Sequence, residues 1–205
     1  IVNQVRGLLS EYGVIMPQGL AGFTKHIALL LDPSDTRLTP RIKFQLAEVK
    51  EEYDNLSRRR LSIQKELDEY IQENELCQRL MTIPGIGIIN ATALFAAIGN
   101  ASQFANPREL SVWLGVTPKQ HASGGKSFMG GMTKRGNRYL RKQLIHGART
   151  LIHRTKGKED KLSVWIKQLV ERRGIHKGVV AIANRLARIA WILLHRNEDY
   201  KAVPT

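Results

Sequence analysis

Apolar residues recur in alternating steps of four and three in the first half of this 205-residue chain. The members of the series are Ile42, Leu46, Val49, Tyr53, Leu56, Ile63, Leu67 and Tyr70, and Arg60 fills the one missed position. Together with the helix-start signal Thr39-Pro40, this heptad seam predicts a helix of about 35 residues with a partner helix along it. The partner is either the same helix of a second copy, giving a homo-oligomer, or residues 1–31 folded back.

Helical periodicity marks most of the remaining chain. Residues 115–132 are rich in Gly, Pro and Ser and predict a loop or a short hairpin. The fold class is therefore mainly α, with a long coiled-coil helix followed by a compact helical domain that carries a helix-hairpin-helix motif and a Gly-rich loop. The predicted helices besides the long one cover about residues 2–12, 21–31, 107–114, 138–155, 159–173 and 177–196, with two more around Pro84-Gly85-Ile86-Gly87.

The pattern divides the chain into three predicted parts. Residues 1–38 are expected to be the end of an N-terminal domain or a helical linker, residues 39–75 the coiled coil, and residues 76–205 the compact domain. Charge supports a boundary near residue 76, because residues 1–75 carry 10 basic and 12 acidic residues whereas residues 76–205 carry 22 basic and 6 acidic ones. The net charge of +14 favours a polyanionic partner, DNA or RNA, over a basic surface without a partner.

Residues 110–158 contain no acidic residue and eleven basic ones. A merely solvated face normally mixes both signs, so this basic tract favours contact with nucleic-acid phosphates. Arg138, Arg141 and Lys142 fall on one helical face by their spacing. The candidate nucleic-acid-binding residues of the tract are Lys119, Lys126, Lys134, Arg135, Arg138, Arg141 and Lys142.

The segment Pro84-Gly85-Ile86-Gly87 joins two apolar helical stretches. Gly85 and Gly87 permit a tight turn close to a phosphate, and the free N–H groups at the start of the next helix favour an anion. Contact there would position a DNA backbone without reading its sequence. An ordinary tight turn between two helices is the alternative interpretation.

Ser123 lies in the Gly-rich segment 117–126, directly before two glycines. The glycines leave room for a phosphodiester beside an exposed serine, and Lys119 and Lys126 are candidates to neutralise it. A serine needs a base or a metal to become a nucleophile, and His121 is a weak candidate for the base. The pattern alone also fits a flexible linker or a phosphate-binding loop without chemistry, although the P-loop pattern is absent.

The sequence excludes several classes of site. Cys77 is the only cysteine, so neither an internal disulfide nor a cysteine zinc site can form. The longest apolar run, residues 91–98, is far shorter than the roughly 20 residues of a membrane span, so no membrane association is expected. The chain begins at Ile1 without a methionine, which is typical of a piece of a longer protein.

Three motifs, taken in their order and spacing, resemble one family. They are Ile83-Pro84-Gly85-Ile86-Gly87, then Leu114-Gly115-Val116-Thr117-Pro118 with Ser123-Gly124-Gly125, then Thr133-Lys134-Arg135-Gly136-Asn137 with Leu140-Arg141. The chain thereby resembles the transposases of the bacterial IS110/IS116 group of insertion sequences, relatives of the pilin-gene DNA invertases. Residues 6–14 resemble the central region of that family, so the resemblance covers nearly the whole chain.

The resemblance implies an enzyme that recombines DNA. In the family, a domain similar to the RuvC Holliday-junction resolvase binds Mg²⁺ through four acidic residues, and a coiled coil connects it to a C-terminal domain with a nucleophilic serine. By motif position that serine is Ser123, which would form a phosphoserine link to DNA. A structured guide RNA is a further implied partner, and the implied location is the bacterial cytoplasm, associated with the nucleoid.

This chain starts about where the resolvase-like domain of the family ends. Its N-terminal acidic residues do not match the family's acidic motif, so Mg²⁺ is expected to bind outside this chain. We therefore expect these residues alone to bind nucleic acid but not to recombine it. A non-catalytic helix-hairpin-helix DNA-binding protein and an RNA-binding basic coiled-coil protein remain alternatives. The acidic residues concerned are Asp32, Asp35, Glu48, Glu51 and Glu52.

Overall fold

The computed structural model describes residues 1–204, and within them the fold is mainly α, as predicted. The chain divides into two compact units, residues 1–66 and 67–205. The elements are α1 (Val2–Glu11), α2 (Leu20–Leu30), α3 (Pro40–Glu73), α4 (Glu75–Met81), α5 (Ile88–Ile98), α6 (Pro107–Trp113), β1 (Pro118–Ser123), β2 (Lys126–Met132), α7 (Arg138–Arg154) and α8 (Lys161–Arg196).

In the first unit, apolar residues of α1, α2 and the first part of α3 share one core. Leu9, Phe23 and Ile27 are fully buried in it, and Leu46 of α3 is 3% exposed. The ring of Tyr53 packs on that of Phe23 with centroids 4.7 Å apart. Of the two partners considered for the seam, residues 1–31 are therefore the one that covers its first half.

The seam is exposed beyond Tyr53, whereas the Tyr70 ring at its end lies 6.4 Å from that of Phe95. Leu56 and Ile63 are 50% and 47% exposed on α3. Leaving large apolar side chains at regular heptad spacing in water is unfavourable, at roughly 25 cal/mol per Å² of apolar surface. The prediction of a second copy therefore applies to the part of the helix around Leu56 and Ile63.

Polar side chains cap two helices at the positions where the sequence predicts that these helices begin. The Asn106 side chain accepts hydrogen bonds from the amides of Arg108 and Glu109 at the start of α6. Asn137 does the same for α7, with the amides of Tyr139 and Leu140 as donors. Each cap satisfies amides that have no partner within the helix, which fixes where the helix begins.

In the second unit, α8 is the central helix. Ile182, Ala183 and Ala187 are completely buried, and the helix packs on α7 and α6. Gly174, with φ +75°, breaks it, so the two helices predicted at 159–173 and 177–196 are two segments of one interrupted helix. By length and composition alone α8 would pass as a membrane span, but 56% of its most apolar stretch is buried in the domain, as in a core helix.

Candidate nucleic-acid interface and serine hairpin

A β-hairpin carries Ser123. Its strands β1 and β2 pair antiparallel, and Gly124 and Gly125 form the two-residue turn between them. Both glycines have positive φ, +54° and +76°, as a type I′ turn requires, and glycine adopts this conformation without steric strain. The segment for which the sequence predicts a loop or a short hairpin is thus a hairpin with a defined tip.

Ser123 is the last residue of β1 and lies at this tip. It pairs with Lys126, and both residues are exposed. The Cβ atoms of directly paired residues lie about 4.5–5.5 Å apart, which puts the Lys126 side chain next to the Ser123 hydroxyl. His121 and its partner Phe128 lie on the same face, because alternate residues of a strand point to the same side. The tip therefore presents a hydroxyl, a cation and an imidazole on one exposed face.

Lys119 lies at the other end of the hairpin, where the pairing register shifts between Pro118 and Gln120. Such an irregularity is a β-bulge, which bends the strand and increases its twist. Lys119 lies four positions along the strand from Ser123, about 13 Å. Of the two lysines considered as phosphate partners for the serine, the structure brings only Lys126 beside it.

At the base of the hairpin, two glycines allow the backbone around residue 115 and the backbone around residue 136 to pass in direct contact, which forms a crossing. Gly115, with φ +70°, lies against the carbonyl of Arg135, and Gly136, with φ +90°, lies against that of Trp113. A Cβ on either glycine would overlap the facing oxygen. The Lys134 amide also donates to the Gly115 carbonyl at 3.2 Å. This crossing fixes where the two strands leave the helical domain.

The guanidinium of Arg141 fastens the same crossing from α7. Its Nη1 donates to the carbonyl oxygens of Leu114, Arg135 and Gly136 at 3.4, 3.2 and 3.5 Å. Arg141 is half-buried, whereas Arg138, one turn earlier, is exposed. The two arginines predicted to share a DNA-facing surface thus have different environments, and the Nη1 of Arg141 is engaged by the backbone.

Arg141→Gln is expected to lower the free energy of unfolding by about 2 kcal/mol, because backbone carbonyls lose a charged donor. The matched variant Arg138→Gln removes the same charge from an exposed position and should change stability by less than about 0.5 kcal/mol. It should instead lower the salt slope of DNA binding by about 0.9. Urea denaturation, together with DNA titrations at several salt concentrations, separates the two. Equal stability losses in both variants would contradict the positioning role of Arg141.

The other predicted basic residues follow directly after β2. Lys134 and Arg135 are exposed in the connection to α7, and Arg138 and Lys142 are exposed on its first turns. Lys134 has φ +57°, a left-handed conformation that is uncommon for a residue other than glycine. Positive charge is therefore concentrated beside the base of the hairpin.

The turn at residues 82–87 joins α4 and α5. Gly85, with φ +87°, is packed against α7, since a Cβ there would lie 2.9 Å from the carbonyl oxygen of Gly147. Asn90 donates to the Gly85 carbonyl at 3.4 Å. Gly87 is exposed and begins α5 without a side-chain cap, so its neighbouring amides have no side-chain acceptor. Of the two glycines, Gly87 is thus the exposed one at the start of a helix, whereas Gly85 is packed against α7.

No three His, Cys, Asp or Glu side chains within residues 1–204 lie close enough together to hold a metal ion. Among the acidic residues considered from the sequence, Asp35 is paired with Arg37 at 2.5 Å. Hydrogen bonds from Arg37 lower the pKa of Asp35 to about 2. The binding of Mg²⁺ outside this chain stays a prediction.

Sequence reasoning missed a group of basic residues on α8. Lys177, Arg185 and Arg188 are exposed there and, with β2, line a groove. The Arg185 guanidinium stacks over the Trp165 ring, 4.4 Å from its centroid. The three-residue spacing of Arg185 and Arg188 within the mostly apolar stretch 178–194 is the signal that marks this surface in the sequence.

Comparison with known proteins identifies related sequences. Residues 77–163 match the model of the transposase family IS116/IS110/IS902. The chain is 42% identical over 201 residues to the transposase for insertion sequence element IS1111A of Coxiella burnetii, covering 98% of the chain and 55% of that protein. It is 36% identical to a probable family 20 transposase of Pseudomonas aeruginosa, covering 98% of the chain and 60% of that protein.

A third relative is the transposase for insertion sequence element IS1328 of Yersinia enterocolitica, 34% identical over 191 residues. That alignment covers 93% of the chain and 56% of the relative. The chain therefore spans little more than half the length of these curated relatives.

Proposed function

Because residues 77–163 match the model of the IS116/IS110/IS902 transposase family, we propose that the chain is the DNA-engaging part of an insertion-sequence transposase. In this proposal Ser123 attacks a DNA phosphodiester, and the basic tract 110–158 holds the DNA backbone. The observation that carries it is the position of Ser123 at the exposed tip of a hairpin, paired with Lys126. A serine there meets a phosphodiester without steric conflict and with a cation beside it.

The proposed step is a transesterification. The Ser123 oxygen forms a bond to phosphorus, and the bond from phosphorus to one sugar oxygen breaks. The Ser123 proton passes to a base, and the sugar oxygen leaves as a hydroxyl after taking up a proton. One phosphodiester bond replaces another, so the step needs no external energy source. Lys126 supports it by neutralising charge that develops on the phosphate.

We infer that the active site is composite. This chain spans 55% to 60% of the length of two relatives, so the carboxylates that would bind Mg²⁺ are proposed to lie in a RuvC-like domain outside residues 1–205. When bound, Mg²⁺ would stabilise the phosphate charge and activate the attacking oxygen. The residues of this chain bind and orient the DNA and supply the serine.

The partners follow from the same surface chemistry. DNA is the proposed substrate, and a structured guide RNA is proposed as a second polyanion on the basic second unit, which carries nearly all of the excess positive charge. Such a protein would work in the bacterial cytoplasm at the nucleoid. Exposed Lys126, Lys134, Arg135, Arg138 and Lys142 are the residues proposed to contact phosphates.

We also propose that the exposed part of the α3 seam, around Leu56 and Ile63, joins two copies. The double variant Leu56→Glu with Ile63→Glu places charge on this face and is expected to convert a dimer into a monomer in sedimentation equilibrium. Leu61→Glu is the matched control, because Leu61 is 58% exposed on the same helix but off the seam. A wild-type chain that sediments as a monomer would contradict the proposal.

Covalent capture tests the proposed function. The full-length transposase is incubated with DNA carrying its insertion-sequence end and Mg²⁺, then denatured and digested with protease. Mass spectrometry is expected to find a nucleotide remnant on the peptide that contains Ser123. A remnant on another residue, or none under conditions where strand transfer occurs, would refute Ser123 as the attacking group.

A further inference from the structure

A groove of about 1140 Å³ runs between the hairpin and the second half of α8. Phe128 and Met129 of β2 lie on one side, and Val180, Ile189 and Ile192 of α8 lie on the other. Phe128 is 69% exposed and Met129 is 60% exposed. Large apolar side chains left in water along a concave surface are typical of a binding site rather than of a core.

Cations also line this groove. Lys177, Arg185 and Arg188 contribute positive charge, and none of its described lining residues is acidic. An apolar partner alone would not require these charges, and an acidic one is favoured by all of them. The groove therefore fits a partner that combines an apolar surface with negative charge.

Aromatic and guanidinium planes give the groove a more specific character. Arg185 is held over the Trp165 ring at 4.4 Å and is itself exposed. Phe128 offers an exposed ring in the same groove. Nucleobases stack on aromatic rings and on arginine planes, and their phosphates carry the negative charge that the cations attract.

We propose that this groove binds an unstacked base of single-stranded DNA, with Lys177 and Arg188 on the adjoining phosphates. The inference rests on the proposed function, because DNA is the strand that would pass Ser123. Phe128 lies two positions along β2 from Lys126 at the tip, about 7 Å. A strand that reacts at Ser123 therefore passes the mouth of the groove, where an unpaired base beside the reacting phosphate would be held.

Binding of a short fluorescent oligothymidylate to the purified chain tests the groove, with duplex DNA of equal length as the second probe. Phe128→Ala is expected to weaken oligothymidylate binding about 10-fold, the effect of losing one base stack. Its duplex affinity should stay within about twofold, and its salt slope should not change, because no charge is removed. Arg188→Gln should lower the single-strand salt slope by about 0.7.

Phe44→Ala is the matched control, since Phe44 is 66% exposed on α3 and lies outside the groove. It should leave both affinities unchanged. The proposal is overturned if Phe44→Ala weakens oligothymidylate binding as much as Phe128→Ala does. It is also overturned if Phe128→Ala weakens duplex binding as much as single-strand binding. Tighter binding of oligouridylate than of oligothymidylate would assign the groove to RNA instead, and displacement by polyglutamate at equal charge would reduce it to a site for any polyanion.

The two proposals fail separately. If covalent attachment at Ser123 occurs while Phe128→Ala binds oligothymidylate normally, only the groove proposal is refuted. If Phe128→Ala selectively loses the single strand but no attachment forms at Ser123, the groove stands as a DNA site and the serine mechanism is refuted.

Discussion

Replacing Ser123 by alanine is expected, on the proposed mechanism, to abolish covalent attachment of DNA while leaving DNA binding in place. The hydroxyl is the group that would bond to phosphorus, and removal of an attacking nucleophile usually costs about 10³-fold or more in rate. Ser123 is exposed and makes up the end of β1, so its truncation removes no core contact. Attachment is measured as denaturation-resistant DNA on the protein, and binding by titration at two salt concentrations.

Ser127→Ala is the control built into the same hairpin. Ser127 is exposed and pairs with Ala122, one position from the Ser123–Lys126 pair, and so lies on the opposite face of the two strands. Its loss should leave attachment within about twofold of the wild type. If Ser127→Ala reduces attachment as much as Ser123→Ala does, or if Ser123→Ala still attaches DNA, the hairpin contributes by shape and Ser123 is not the nucleophile.

The long helix α3 shows what the heptad periodicity predicts and what it does not predict. The alternation of four and three predicted a helix of about 35 residues, and α3 has 34. The same alternation did not show that burial would differ along the seam. Leu46 is buried under α1 and α2, whereas Leu56 is exposed. A heptad pattern specifies that a face is apolar, but the loop lengths before it decide how far a folded-back partner reaches.

The serine hairpin shows the converse, because short-range signals predicted a turn but not which residues pair across it. Gly124-Gly125 is a strong hairpin signal, and the structure has its turn there. Sequence proximity made Lys119 and Lys126 equivalent partners of Ser123. The register of pairing decides between them, and register depends on the bulge near Lys119 and on the crossing at the hairpin base.

Two residues that the sequence predicted to contact nucleic acid, Arg141 in the basic tract and Gly85 in the glycine turn, have structural roles that residue type does not indicate. Arg141 has the spacing of a DNA-facing arginine, yet its Nη1 is directed at the Leu114 and Arg135 carbonyls. Gly85 has the form of a phosphate-binding glycine, yet it lies against Gly147 of α7. Both roles depend on contacts between segments distant in sequence, which composition and local spacing do not report.

Gly115→Ala is expected to be the most damaging small substitution in the second unit. The new Cβ would overlap the Arg135 carbonyl oxygen, a backbone atom that cannot rotate away as a side chain would, and φ at Gly115 is +70°. Strain of this conformation and displacement of the crossing together should cost about 3 kcal/mol or more. For a domain of this size we expect the midpoint of thermal unfolding to fall by roughly 10 °C.

Gly124→Asn is the matched control. It distinguishes steric overlap at the crossing from the general effect of replacing a glycine that has a positive φ. Gly124 also has a positive φ, +54°, but a Cβ there meets no atom within 4 Å, and asparagine is favoured in type I′ turns. This variant should unfold within about 2 °C of the wild type. Gly115→Ala should lose DNA attachment along with its stability, because the crossing sets the direction in which the hairpin carries Ser123. A Gly115→Ala variant as stable as Gly124→Asn would show that the crossing yields to a methyl group and does not hold the hairpin in place.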